Sequence, residues 1–62
     1  MARERGNGII FEIIRMGDYV KVSAVDPVTM VEVSVVGPSK GPIDVVKQVA
    51  VRKLRRAIER GA

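Results

Sequence analysis

The chain has 62 residues, of which 47% are hydrophobic, carries a formal charge of +4, and contains neither cysteine nor histidine. One domain fits this length, with a single core supplying roughly 3–5 kcal/mol, and neither disulfides nor a histidine- or cysteine-bound zinc can add to it. The hydrophobic share argues against disorder, and no apolar run reaches the roughly 20 residues that span a bilayer. The N-terminus has no signal-peptide pattern, so a folded cytoplasmic protein is expected, with oligomerisation as the remaining source of stability.

The charge is segmental. Residues 1–42 hold five bases and five acids, whereas Lys47, Arg52, Lys53, Arg55, Arg56 and Arg60 face only Asp44 and Glu59 in residues 43–62. The first part reads as a neutral scaffold, and the second carries the field that selects a partner.

Residues 1–8 are read as a disordered tail, and residues 9–36 as a three-stranded sheet. The run Ile9 to Met16 is β-branched and aromatic and ends at Gly17-Asp18, a two-residue hairpin signal with glycine first. That loop sets Met16 opposite Tyr19, Ile14 opposite Lys21, Ile13 opposite Val22 and Phe11 opposite Ala24. Tyr19 to Val25 alternates cleanly. Asp26-Pro27-Val28-Thr29 has a type I turn composition, and a third strand is expected over Met30 to Val36.

Side chains opposite each other across a ladder share a face. Ile9, Phe11, Ile13, Val20, Val22, Ala24, Val31, Val33 and Val35 therefore make an apolar core face. The second face is expected in rows: Ile10, Val25, Met30; Glu12, Ser23, Glu32; Ile14, Lys21, Ser34; and Met16, Tyr19, Val36. Its middle is polar and its ends are apolar.

Residues 37–42, Gly-Pro-Ser-Lys-Gly-Pro, read as a stiff connector, and residues 43–60 as a basic amphipathic helix. Pro42 suits the helix start, Asp44 the positive dipole end, and Gly61 the C-terminal cap. Ile43, Val46, Ala50, Leu54, Ala57 and Ile58 form one stripe flanked by Val51, which covers the sheet. Val45 and Val49 point outward. The fold class is α+β: an antiparallel meander in order 1-2-3 with the C-terminal helix on one face.

Catalysis has little to work with. Ser23, Ser34 and Ser39 lack a histidine base, and the predicted Lys21–Ser34 neighbourhood is read as a solvated polar row. Glu12 and Glu32 lie about 10 Å apart by strand spacing, without a cleft. The 37–42 segment lacks the order of a phosphate loop, with Lys40 before Gly41 and the donor-less Pro42 behind it. The predicted sheet and single helix leave no obvious cavity of roughly 300 Å³ or more. No catalytic residue, cofactor or metal is therefore assigned.

Two binding surfaces are assigned instead. Ile10, Ile14, Met30, Val36, Val45 and Val49 are candidate oligomer contacts, because they are apolar and lie off the predicted core. A homodimer is the leading expectation, with exchange of the helix or a terminal strand as a specific form, because both outer strands of the three-stranded sheet lack proline and carry few charges. Arg52, Arg55, Arg56 and Arg60 are candidate anion or partner contacts, and nucleic acid or an anionic surface is the second choice. Cations also complement the helix dipole and keep a small protein soluble, and the chain has only Phe11 and Tyr19 for base stacking.

The strings Val20-Lys21-Val22-Ser23-Ala24-Val25-Asp26-Pro27 and Val31-Glu32-Val33-Ser34-Val35-Val36-Gly37-Pro38, followed by Leu54-Arg55-Arg56, resemble a family of very short uncharacterised bacterial proteins. The resemblance covers most of the chain from about Ile10 and implies no known activity.

Overall fold

In the computed structural model, which describes residues 2–6 and 8–61, four antiparallel strands precede one helix. The strands are β1 (Ala2–Gly6), β2 (Ile9–Met16), β3 (Tyr19–Val25) and β4 (Glu32–Pro38), and the helix is α1 (Ile43–Glu59). Their order in the sheet is β1-β2-β3-β4. The architecture is α+β as expected, but with four strands instead of three.

The β2–β3 hairpin has the expected register, with Met16 opposite Tyr19, Ile14 opposite Lys21, Ile13 opposite Val22 and Phe11 opposite Ala24. Gly17 takes φ 60 while Asp18 stays outside the left-handed region, so glycine is used at the first turn position, as a type II′ turn requires. Ser39 ties this turn to the connector. Its N–H donates to the Asp18 carbonyl at 2.9 Å and its hydroxyl to the Gly17 carbonyl at 3.0 Å.

Two sequence-based expectations are corrected. The segment read as a disordered tail contains β1, which pairs with β2 from Ala2 opposite Ile13 to Gly6 opposite Ile9. Its Arg3-Glu4-Arg5 core gives no apolar alternation, and side-chain ionic contacts supplement the ladder. Arg3 pairs with Glu12 at 2.7 Å on one sheet face, and Glu4 pairs with Lys47 of α1 on the other. The ammonium of Lys47 also lies 4.9 Å from the Phe11 ring centroid, so one lysine joins the edge strand, the helix and the core.

The last strand is displaced by two residues. Val25 pairs with Glu32, Ser23 with Ser34 and Lys21 with Val36, not with Met30, Glu32 and Ser34 as expected. The cause lies in the loop. Asp26 N–H donates to the Val31 carbonyl and Met30 N–H to the Asp26 carbonyl, so four residues separate the closing pair. The Asp26 carboxylate also accepts from Val28 N–H at 3.0 Å, an Asx-turn, and Met30 is left-handed at φ 63. A two-residue slip preserves which face each side chain occupies, so the core face is as expected.

Phe11, Ile13, Val20, Val22 and Ala24 are buried against Val46, Ala50 and Leu54 of α1, with Ile9, Val31, Val33, Val35, Ile43, Val51 and Ile58 packed around them. Gly37, now inside β4, sits where a Cβ would lie 2.7 Å from Val46 Cγ2. The helix closes on Gly61 at φ 75, whose N–H donates to the Ile58 carbonyl.

Candidate anion-binding groove and open sheet face

α1 covers one face of the sheet and leaves a groove along each flank. The groove beside β4 has a volume of about 530 Å³, a floor of Val33, Val49 and Ala57, and a rim of Arg52, Lys53, Arg56 and Arg60. Its cations follow from helical spacing, because positions 52, 56 and 60 form one i, i+4 ridge and 53 lies beside 56 and 60. No carboxylate lines it. The second groove, about 540 Å³, takes Phe11, Asp44, Lys47, Gln48, Val51, Arg52 and Arg55. The sequence-predicted arginines are thus divided: Arg56 and Arg60 belong to the β4 side, Arg55 to the β2 side with Asp44, and Arg52 borders both. Lys53 was missed by the sequence reading. It follows Arg52 in the same basic run, and only the position of β4 shows that it completes this rim. Both grooves are open, and their size corrects the expectation that no cavity reaches 300 Å³.

Lys53 also donates to the backbone carbonyl of Ser34 at 3.1 Å. This caps part of the free β4 edge, which ends in Pro38, while the opposite edge strand β1 has charged residues at three of its five positions. The outer strands of the observed sheet are therefore guarded against edge pairing. This corrects the premise that they lack proline and carry few charges.

The sheet face away from α1 presents four rows. In β1-to-β4 order they are Arg5, Ile10, Val25, Glu32; then Arg3, Glu12, Ser23, Ser34; then Ile14, Lys21, Val36; then Met16, Tyr19, Pro38. Ser23 is buried and shares a 2.8 Å hydrogen bond with the Ser34 hydroxyl. Lys21 stands opposite Val36 rather than Ser34, and Glu12 is engaged by Arg3 and lies in a different row from Glu32, so neither weak catalytic pairing is assembled. Tyr19 and Val36 are 60% and 62% exposed. Of the candidate oligomer contacts, Ile10, Ile14 and Val36 share this face, Met30 lies in the β3–β4 loop, and Val45 and Val49 are exposed on α1. They do not form one surface. Among the described residues no group of acidic, histidine or cysteine side chains is placed to hold a metal, and no helix is long and apolar enough to cross a membrane.

These features define a small α+β domain, a four-stranded antiparallel meander backed by one basic helix. The chain belongs to a family described as a domain of unknown function, DUF6898, whose model matches residues 6–61. That span takes in β2 to α1 and only the last residue of β1. Neither a curated protein nor a solved structure matches the chain.

Proposed function

We propose that this protein is a cytoplasmic homo-oligomeric assembly module that pairs with a second copy through the open sheet face. The observation that carries the reading is the row Arg5, Ile10, Val25, Glu32, which is apolar in the middle and oppositely charged at its two ends. A twofold axis parallel to the strands lays β1 of one copy over β4 of the other. Arg5 then meets Glu32 at both ends of the row, Ile10 meets Val25, and Met16 meets Tyr19. The first and last rows are self-complementary under that operation, as an isologous interface requires.

The polar middle tolerates cover because its groups are already partnered within the sheet: Arg3 with Glu12, and Ser23 with Ser34. Lys21 has a stem long enough to lie along Ile14 and Val36 with its ammonium at the rim. At strand spacings of about 4.8 Å and 3.4 Å per residue the face measures roughly 500 Å² per copy, which puts the pair near the lower size limit for a specific interface. Association in the micromolar range is expected.

The simplest form leaves each helix on its own sheet, where Gly37 is fitted to Val46. Isotope-filtered contacts between residues 37 and 46 of different protomers would show the exchanged form instead. Light scattering across a concentration series tests the reading itself. A dimer mass is expected at high micromolar concentration, and a monomer mass there overturns the proposal.

A further inference from the structure

The geometry points to a second surface, separate from the open sheet face: the groove between α1 and β4 seats the phosphate backbone of double-stranded nucleic acid, without reading its sequence. Four cations converge on this groove and no carboxylate lines it. Among the described residues the ion pairs are Arg3 with Glu12 and Lys47 with Glu4, so none uses a rim cation.

The alternative explanations for these charges account for only part of them. The helix dipole acts within the last turn, where Arg56 is the basic residue, and Arg52 and Lys53 lie further upstream. Placing arginines at 52, 56 and 60 also sets like charges at i, i+4, which opposes helix formation. An anion in the groove relieves that repulsion. Lys53 is held toward the β4 edge by the Ser34 carbonyl, which fixes one side of the rim.

The lining selects among anionic partners. The ridge from Arg52 to Arg60 spans about 12 Å at 1.5 Å per residue, with a cation roughly every 6 Å, a spacing comparable to that of successive phosphates along one strand. No aromatic side chain lines the groove, so bases have no stacking platform there and single-strand recognition is disfavoured. A duplex presents its phosphates without requiring base contacts. Insertion into a lipid surface would call for a broad unpartnered apolar helix face, whereas the apolar stripe of α1 is used against the sheet and Val45 and Val49 alone are its exposed large hydrophobics.

The test is fluorescence anisotropy of the full chain against a labelled 20-base-pair duplex DNA of mixed sequence, at several salt concentrations between 50 and 200 mM. Four phosphate contacts give a slope of log K on log salt near −3.6, a loss of about a hundredfold over that range. Arg52→Gln with Arg56→Gln should reduce the slope by about two units and weaken binding alike on unrelated sequences. Arg55→Gln, on the other flank, should leave the slope within about half a unit of wild type. Amide spectra of each variant establish that it is folded. Glu32→Lys, which perturbs the sheet face, should retain the slope and so separates this site from self-association. No duplex binding at 50 mM salt, equal effects of the 52/56 and 55 substitutions, or binding to phosphatidylglycerol vesicles in place of DNA overturns the inference.

Discussion

Gly37→Ala tests how closely the helix is fitted to the sheet. The added methyl would lie 2.7 Å from Val46 Cγ2 and 3.5 Å from Cγ1, and Val46 is buried. A β-branched residue in a helix has one strongly preferred χ1, so Val46 has no low-energy rotation that clears the space. Either α1 or β4 must move. Overpacking of this kind costs about 1–3 kcal/mol, and 2 kcal/mol lowers the melting temperature of a domain this small by roughly 8–16 °C. Val46→Ala removes the clashing Cγ2 along with Cγ1 and is itself destabilising through the space it leaves. In the double variant the new methyl occupies part of that space, so the two changes together should cost at least about 1 kcal/mol less than their sum. Urea unfolding followed by circular dichroism, run on all four proteins, measures this. A Gly37→Ala variant within about 0.5 kcal/mol of wild type, or strictly additive costs, would refute the packing described.

Two further substitutions test the loop and the edge strand. Met30 is left-handed and 75% exposed, so Met30→Gly relieves backbone strain without loss of packing. It should raise stability by about 0.5–1 kcal/mol after the extra unfolded-state entropy of glycine, and a lower urea midpoint would contradict the loop geometry. Lys47→Ala removes the contact with Glu4 and the approach to Phe11 together. A loss of about 1–2 kcal/mol is expected, with amide exchange in β1 accelerated more than in β3; uniform acceleration would contradict the role of Lys47 in holding the edge.

The middle of the sheet was legible because the Gly17-Asp18 turn and the alternation of Tyr19 to Val25 constrain the same register from two sides. The final strand was legible in its face but not in its pairing. Face matching distinguishes odd from even slips only, and nothing in Asp26-Pro27-Val28-Thr29 announces that Met30 goes left-handed and lengthens the loop by two residues. For the same reason Gly37 read as the end of a strand when it is the close-contact point beneath α1. β1 was invisible to hydrophobic patterning, since its Arg3-Glu4-Arg5 segment is positioned by β2 and by partners distant in sequence, Glu12 and Lys47. The basic helix was legible as a segment, yet its division into two flanks depends on where the sheet edge lies. This is why Arg55 separates from Arg56 and why Lys53 joins the rim.

Charge exchange across the open face tests the central claim most directly. Arg5→Glu and Glu32→Lys each place like charges at both ends of the twofold-related row. Each exposed pair contributes up to about 1 kcal/mol, so turning two attractions into repulsions should weaken the dimer by about 2 kcal/mol, or thirtyfold. Combining Arg5→Glu with Glu32→Lys restores opposite charges at both ends. Sedimentation equilibrium of the wild type, both single variants and the double variant should give a dimer constant that falls in each single variant and returns to within about threefold of wild type in the double. Singles that leave the constant unchanged, or a double variant as weak as the singles, would contradict face-to-face pairing.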